Sequence, residues 1–137
     1  MAQDSRTVID SWFEAWNAHD LDQAAQCLSE DVTLEQPEET GHSLRGRDAV
    51  RGYIAELYDA FPDARLDVTT VITQAEQAAA EYVFRGTQQG EYRGVQAQDN
   101  AVENPIVDVM DVRNGQIAAI RRYDRRPAKV AAPTETV

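Results

Sequence analysis

Two groups of charged residues fall where a strand pattern surrounds them with apolar neighbours. In ENPIVDVMDV, Asp108 stands between Val107 and Val109. In IAAIRRYDRR, Arg121, Arg122, Arg125 and Arg126 crowd around Asp124. A carboxylate among apolar side chains is costly to bury unless it is paired. Burial also raises its pKa toward values useful for moving protons. A guanidinium in a dry site offers a planar pair of donors to a carboxylate or an enolate oxygen. Asp108 therefore reads either as half of a structural ion pair or as part of the polar machinery of a proton-transfer site. Asp124 lies near a strand end, as a third candidate carboxylate or as a member of a surface ion pair.

Other chemistries find less support. His42 lies in the Gly-containing segment EETGHSLRG, and His19 stands beside Asp20 at a helix junction. Two separated histidines without an acidic companion pattern make a poor metal site. Cys27 is the single cysteine of the chain, so no internal disulfide is available and its expected role is packing inside a helix. There is no Gly-rich phosphate loop and no serine elbow. The 137 residues carry 13 Lys and Arg against 24 Asp and Glu, a formal charge of −11. That balance argues against a nucleic-acid partner, because phosphate binding needs a basic face. No apolar run reaches the roughly 18 residues that span a bilayer, so no membrane association is expected. The start, MAQDSRT, lacks a basic region leading into an apolar stretch. The expected setting is the cytoplasm.

The elements that must position these groups can be read from periodicity. Over residues 4–18, Val8, Ile9, Trp12, Phe13 and Trp16 recur at helical spacing. Asp20 is placed to cap a short helix, LDQAAQCLS. DVTLEQP alternates as a strand and stops at Pro37, and EETGHSLRG reads as a loop. A third helix is predicted from about Asp48 to Phe61, ended by Pro62. ARLDVTTVIT, AAAEYVFRGTQQ, ENPIVDVMDV and QIAAIRRYD read as strands. Asn114-Gly115 between the last two signals a two-residue hairpin, whose turn positions both need φ > 0. GEYRGVQAQDN reads as a long connection. The expected fold class is α+β: a curved antiparallel β-sheet packed on three N-terminal helices, forming a cone with an internal pocket. One domain is expected over residues 1–126, followed by a flexible tail over 127–137.

With that order, WFEAWNAHDLDQAAQCLSEDV, GRDAVRGYIAELYDAFPDARLDV, FRGTQQGEYRG and VMDVRNGQIAAIRRYD resemble the SnoaL-like polyketide cyclases. Their fold is the nuclear-transport-factor-two-like cone. The resemblance implies ring closure by intramolecular aldol condensation, with a carboxylate in the cone as acid and base and with no metal or cofactor. Related epoxide hydrolases carry an aspartate on the last strand in a pattern like W-R-D-Y. Here that position falls on Arg122, which argues against the hydrolase route. Gln88 stands where many relatives have histidine. It can orient a carbonyl but cannot transfer protons near neutral pH.

The resemblance also places side chains. It turns Ala118, Ile120, Arg122 and Asp124 into the cone, with Asn104, Ile106, Asp108 and Met110 beside them and Thr33 and Glu35 on the first strand. Glu35 is the first-choice acid or base, with Asp108 and Asp124 as alternatives. So placed, Arg122 either pairs with Asp108 as a structural ion pair or, with Asn104, would stabilise oxyanion charge. Trp12, Trp16, Tyr53, Tyr58, Tyr82 and Phe84 are candidate wall residues, joined by Thr33, His42, Gln88, Ile106, Met110 and Ile120. The implied function is a cofactor-independent cyclase or isomerase acting on a polyketide-like or other apolar carbonyl substrate in natural-product biosynthesis. Ring closure would be by aldol chemistry or by a templated pericyclic reaction. The alternatives are a ligand-binding or accessory protein and a hydroxylase partner. Relatives dimerise through the outer sheet face, here Val107, Val109, Ile117, Ala119 and Tyr123, so a homodimer is expected.

Overall fold

The computed structural model describes residues 5–37, 43–92 and 101–124. Three helices, α1 (Ser5–Asn17), α2 (Leu21–Gln26) and α3 (Arg47–Ala60), pack on one face of a six-stranded sheet. The strands are β1 (Leu28–Glu35), β2 (Ser43–Arg45), β3 (Arg65–Gln74), β4 (Gln77–Thr87), β5 (Ala101–Arg113) and β6 (Gln116–Asp124). Their spatial order is β2-β1-β6-β5-β4-β3. The sheet is open and mixed rather than wholly antiparallel, because β1 runs parallel to β6. Parallel neighbours need a long crossover, and here the chain from β2 through β5 supplies it. No helix among the described residues is long and apolar enough to cross a membrane.

Local signals account for most elements. The predicted stripe of α1 is buried, with Ile9, Trp12 and Trp16 under the sheet-facing side. The Asp20 carboxylate accepts from the Gln23 N–H at 3.1 Å and caps α2. In α3, Val50, Ile54 and Leu57 face the core, and Pro62, which lacks an N–H, follows its end. Asn114 (φ 53°) and Gly115 (φ 76°) form the expected hairpin.

Several expectations are corrected. α2 stops at Gln26 and Leu28 already starts β1, so Cys27 is a buried cap residue rather than a helix-interior one. The segment read as a loop contains β2, whose three residues are too few to carry a pattern; they pair with β1 through Thr33, Leu34 and Glu35. In β1, Val32 and Leu34 face the core. Thr33 and Glu35 therefore lie on the opposite face, not in the interior, because an irregularity in the β1–β6 pairing between Leu28 and Thr33 sets the parity. Ile117 also changes sides. A register shift between Asp111 and Val112 pairs it with Val112 and buries it completely. The outer face keeps Val107, Val109, Ala119 and Tyr123, all half-buried. His42 and the tail over 127–137 lie outside the described residues.

Candidate functional site

The β5–β6 hairpin sets the site. Its register places Asp108 directly opposite Arg122 on the inner face. Directly opposite residues have Cβ atoms roughly 5 Å apart, within reach of an ion pair. On the other side of β5, small Ala80 faces Asp108. Tyr82, two positions along β4, reaches across the diagonal. Tyr53 comes from α3, above the sheet.

The resulting contacts are mutual. Asp108 is 0% exposed and Arg122 6%. Arg122 donates from Nε to Asp108 Oδ1 at 2.9 Å and from Nη2 to Oδ2 at 3.0 Å, a bidentate pair. The Tyr82 hydroxyl donates to the same Oδ2 at 2.9 Å. Arg122 Nη1 donates to the Tyr53 hydroxyl oxygen at 3.3 Å, with the guanidinium carbon 6.0 Å from the Tyr53 ring centre. Burial, the largest single influence, would lower the Arg122 pKa, but the Asp108 charge together with Tyr82 and Tyr53 outweighs it and holds the guanidinium well above its ordinary value. Burial pushes the Tyr82 phenol well above its ordinary value. At neutral pH Tyr82 is thus a neutral donor and Arg122 a full cation.

This arrangement has a chemical direction. Three donors engage the two Asp108 oxygens, so the carboxylate is turned toward Arg122 and Tyr82 rather than toward a ligand. Tyr53 receives a charge-assisted bond on its oxygen, which leaves its own O–H to donate elsewhere. A donor polarised by a neighbouring cation is suited to developing negative charge on a carbonyl oxygen.

The other candidates fall into groups. Ile106, Met110 and Ile120 line the inner face beside the pair, and all are buried. Asn104 shares that face, and its Oδ1 is buried without a hydrogen-bond partner. Asp124 pairs in register with Ile106 and is half-buried on the inner side. Trp12 and Trp16 are buried, each with an unpartnered Nε1. Phe84 packs edge-on against Phe61 in the core. Tyr58 donates to the Trp16 carbonyl at 2.8 Å, and burial, followed by the Asp20 charge, pushes its pKa to about 12. Gln88 donates to the Gly90 carbonyl at 3.0 Å. His19 stacks on Tyr58 at 4.1 Å and meets the Ala64 carbonyl, so it ties the helix junction to the chain before β3.

Glu35 and Thr33 are not brought to this cluster. Glu35 is exposed, pairing in register with Arg121 on the outer side. Sequence reasoning identified the Asp108–Arg122 pair but missed that Tyr82 and Tyr53 complete it. The inward parity of Tyr82 in AAAEYVF was the available signal. The diagonal contact itself needs the β4–β5 register.

Two described clefts lie away from the cluster. One, of about 350 Å³, sits at the ends of β3, β4 and β5 beside Arg65 and Arg85. There Arg85 pairs with Asp67 and Glu103. The other, of about 270 Å³, runs between α1 and β3 along Phe13 and Val68. Among the described residues, no group of three His, Cys, Asp or Glu side chains is placed to hold a metal ion.

Comparison with known proteins places this geometry. The SnoaL-like domain family matches residues 9–120. A proposed polyketide cyclase from Xanthomonas campestris pv. campestris is 26% identical, with 87% of this chain and 88% of that one covered and a TM-score of 0.77. A proposed SnoaL-like polyketide cyclase from Jannaschia sp. CCS1 shares 18% identity over 97% of this chain and 93% of its own, with a TM-score of 0.80. A protein with a ketosteroid isomerase-like fold from Catenulispora acidiphila, in complex with trimethylamine, is 16% identical over 85% and 83%, with a TM-score of 0.71. No curated protein matches the chain.

Proposed function

The chain belongs to the SnoaL-like domain family, and from that premise we propose that it catalyses ring closure or isomerisation of an apolar, polyketide-like carbonyl compound held between its helices and its sheet. The carrying observation is the Tyr53 hydroxyl, which accepts from the Arg122 guanidinium. Its O–H is left to donate to a substrate carbonyl. Asp108 and Tyr82 position Arg122 and maintain its charge.

Asp124 is assigned as the proton acceptor. It is the next inward position after Arg122 on β6, and it is half-buried. It takes a proton from the carbon beside the carbonyl, and Tyr53 stabilises the enolate oxygen that forms. The enolate carbon then attacks a second carbonyl of the same molecule, and the new alkoxide recovers the proton from Asp124. In an isomerisation the proton returns to a different carbon instead. Glu35 has no part in this scheme, since it faces away from the pair.

A ligand carrier without chemistry is the second reading. The mutual pairing of Asp108 with Arg122 and Tyr82 favours it, since such a cluster is stable with nothing bound.

Turnover of a linear aryl triketone separates the two. Tyr53→Phe and Asp124→Asn should each lower kcat by roughly a hundredfold, while Glu35→Gln keeps the wild-type rate. Ligand binding, read by quenching of tryptophan fluorescence, should change by less than about threefold in the two slow variants. Binding without turnover in the wild type selects the carrier.

A further inference from the structure

We propose that the indole N–H groups of Trp12 and Trp16 are ligand hydrogen-bond donors that select a poly-oxo compound over a hydrocarbon of the same shape. The inference deepens the reading above and rests on it, in that the ligand lies between the helices and the sheet.

Both indoles are 1% exposed, and neither Nε1 has a partner. Tryptophan N–H groups usually find an acceptor when buried, because an unpaired buried donor is destabilising. Among the described residues, the other buried side-chain atoms without a partner are two acceptors, Gln36 Oε1 and Asn104 Oδ1, so the two indoles are the orphan donors. Two orphan donors four residues apart on one helix face are therefore a pattern rather than an isolated defect. Their Cα atoms stand roughly 6 Å apart along the axis of α1.

Neighbouring contacts tie this helix face to the proposed site. Phe13 packs edge-on against Tyr82 with ring centres 5.3 Å apart, and Tyr82 bonds Asp108. Trp16 packs edge-on against Tyr58 of α3 at 5.4 Å, and α3 also carries Tyr53. The orphan acceptor Asn104 Oδ1 comes from the inner face of β5. The helix layer thus offers donors and the sheet an acceptor. The complementary ligand is flat and apolar, with acceptor oxygens toward the helix layer and a hydroxyl or enol toward Asn104. A hydrocarbon skeleton would leave all three groups unpaired, which is how such sites reject the deoxygenated analogue.

The chain has only two tryptophans, so the indole region of a proton–nitrogen correlation spectrum holds two signals. Trp12→Phe and Trp16→Phe assign them. Benzoylacetone should move both indole proton signals downfield, while n-butylbenzene leaves them in place. Each Phe variant should bind benzoylacetone roughly three- to tenfold more weakly than the wild type does, with unchanged affinity for n-butylbenzene. Indoles that stay put while backbone signals of β5 shift overturn the inference, as does an absence of any shift up to millimolar benzoylacetone. Unmoved indoles in a protein that still turns over the triketone refute this inference alone. Shifted indoles without turnover refute the catalytic reading alone.

Discussion

Arg121 and Arg122 are adjacent in sequence, and each holds an aspartate of β5, but they do so on opposite faces of the sheet. Arg121 meets Asp111 through one contact at 3.4 Å, with side chains 31% and 37% exposed. Arg122 grips Asp108 with two bonds near 3 Å and almost no exposure. The outer pair is screened by water, and removing one partner leaves the other solvated. Losing a partner of the inner pair strands a charge in an apolar layer. The same two residue types thus make a minor surface contact on one side. On the other they form a determinant of the interior that also polarises Tyr53. Position across the pleat, rather than residue type, makes the difference.

Stability measurements test this contrast most directly. Arg122→Leu should cost about 3–5 kcal/mol of unfolding free energy, and Arg121→Leu less than about 1 kcal/mol, both read by urea denaturation. Equal losses would erase the distinction between the faces. The supporting bonds should follow the same order. Tyr82→Phe keeps the edge-on contact with Phe13 but removes a donor to a buried carboxylate, and should cost about 1–3 kcal/mol. Its outer counterpart is Gln77, whose amide donates to Asp111 at 3.0 Å. Gln77→Ala should cost less than about 1 kcal/mol.

The smallest effect lies in the pH dependence. Tyr58 has its folded-state pKa raised to about 12 by burial and then by Asp20. Its contribution is fully present below the unfolded value, about 10, and is lost as pH climbs through about 12. Asp111 on the outer face is shifted the other way. The Gln77 bond, and then Arg121, hold its carboxyl below the ordinary value. Its contribution is lost as pH falls below about 4. Tyr58→Phe should therefore flatten the alkaline decline of stability between about pH 10 and 12 and leave the acid limb alone. Asp111→Asn should do the reverse. Melting temperatures across the two ranges provide the check.

Much of the site was visible before any fold was known. An aspartate between two valines in ENPIVDVMDV, and the family resemblance that turns Arg122 of IAAIRRYD inward, identified the interior pair. The hairpin at Asn114-Gly115 sets those two strands antiparallel, and their register makes Asp108 and Arg122 direct partners. Glu35 shows where such reading stops. Its strand alternates clearly, yet alternation says only that Val32 and Leu34 share a face opposite Thr33 and Glu35. The family resemblance favoured the wrong face. Ile117 failed similarly, because the register shift beside Val112 interrupts the period that its assignment assumed.

The sequence by itself determined the helical stripes, the Asp20 cap, the Asn114-Gly115 turn and the α+β order, because each depends on residues a few positions apart. It also determined that a buried Asp108 would need a partner. Only the tertiary structure decided that Tyr82 and Tyr53 join that partner, that β1 lies parallel to β6, and that Glu35 faces away. Those outcomes depend on register between segments far apart in the chain. A shift of one residue between strands moves a side chain to the other side of the sheet.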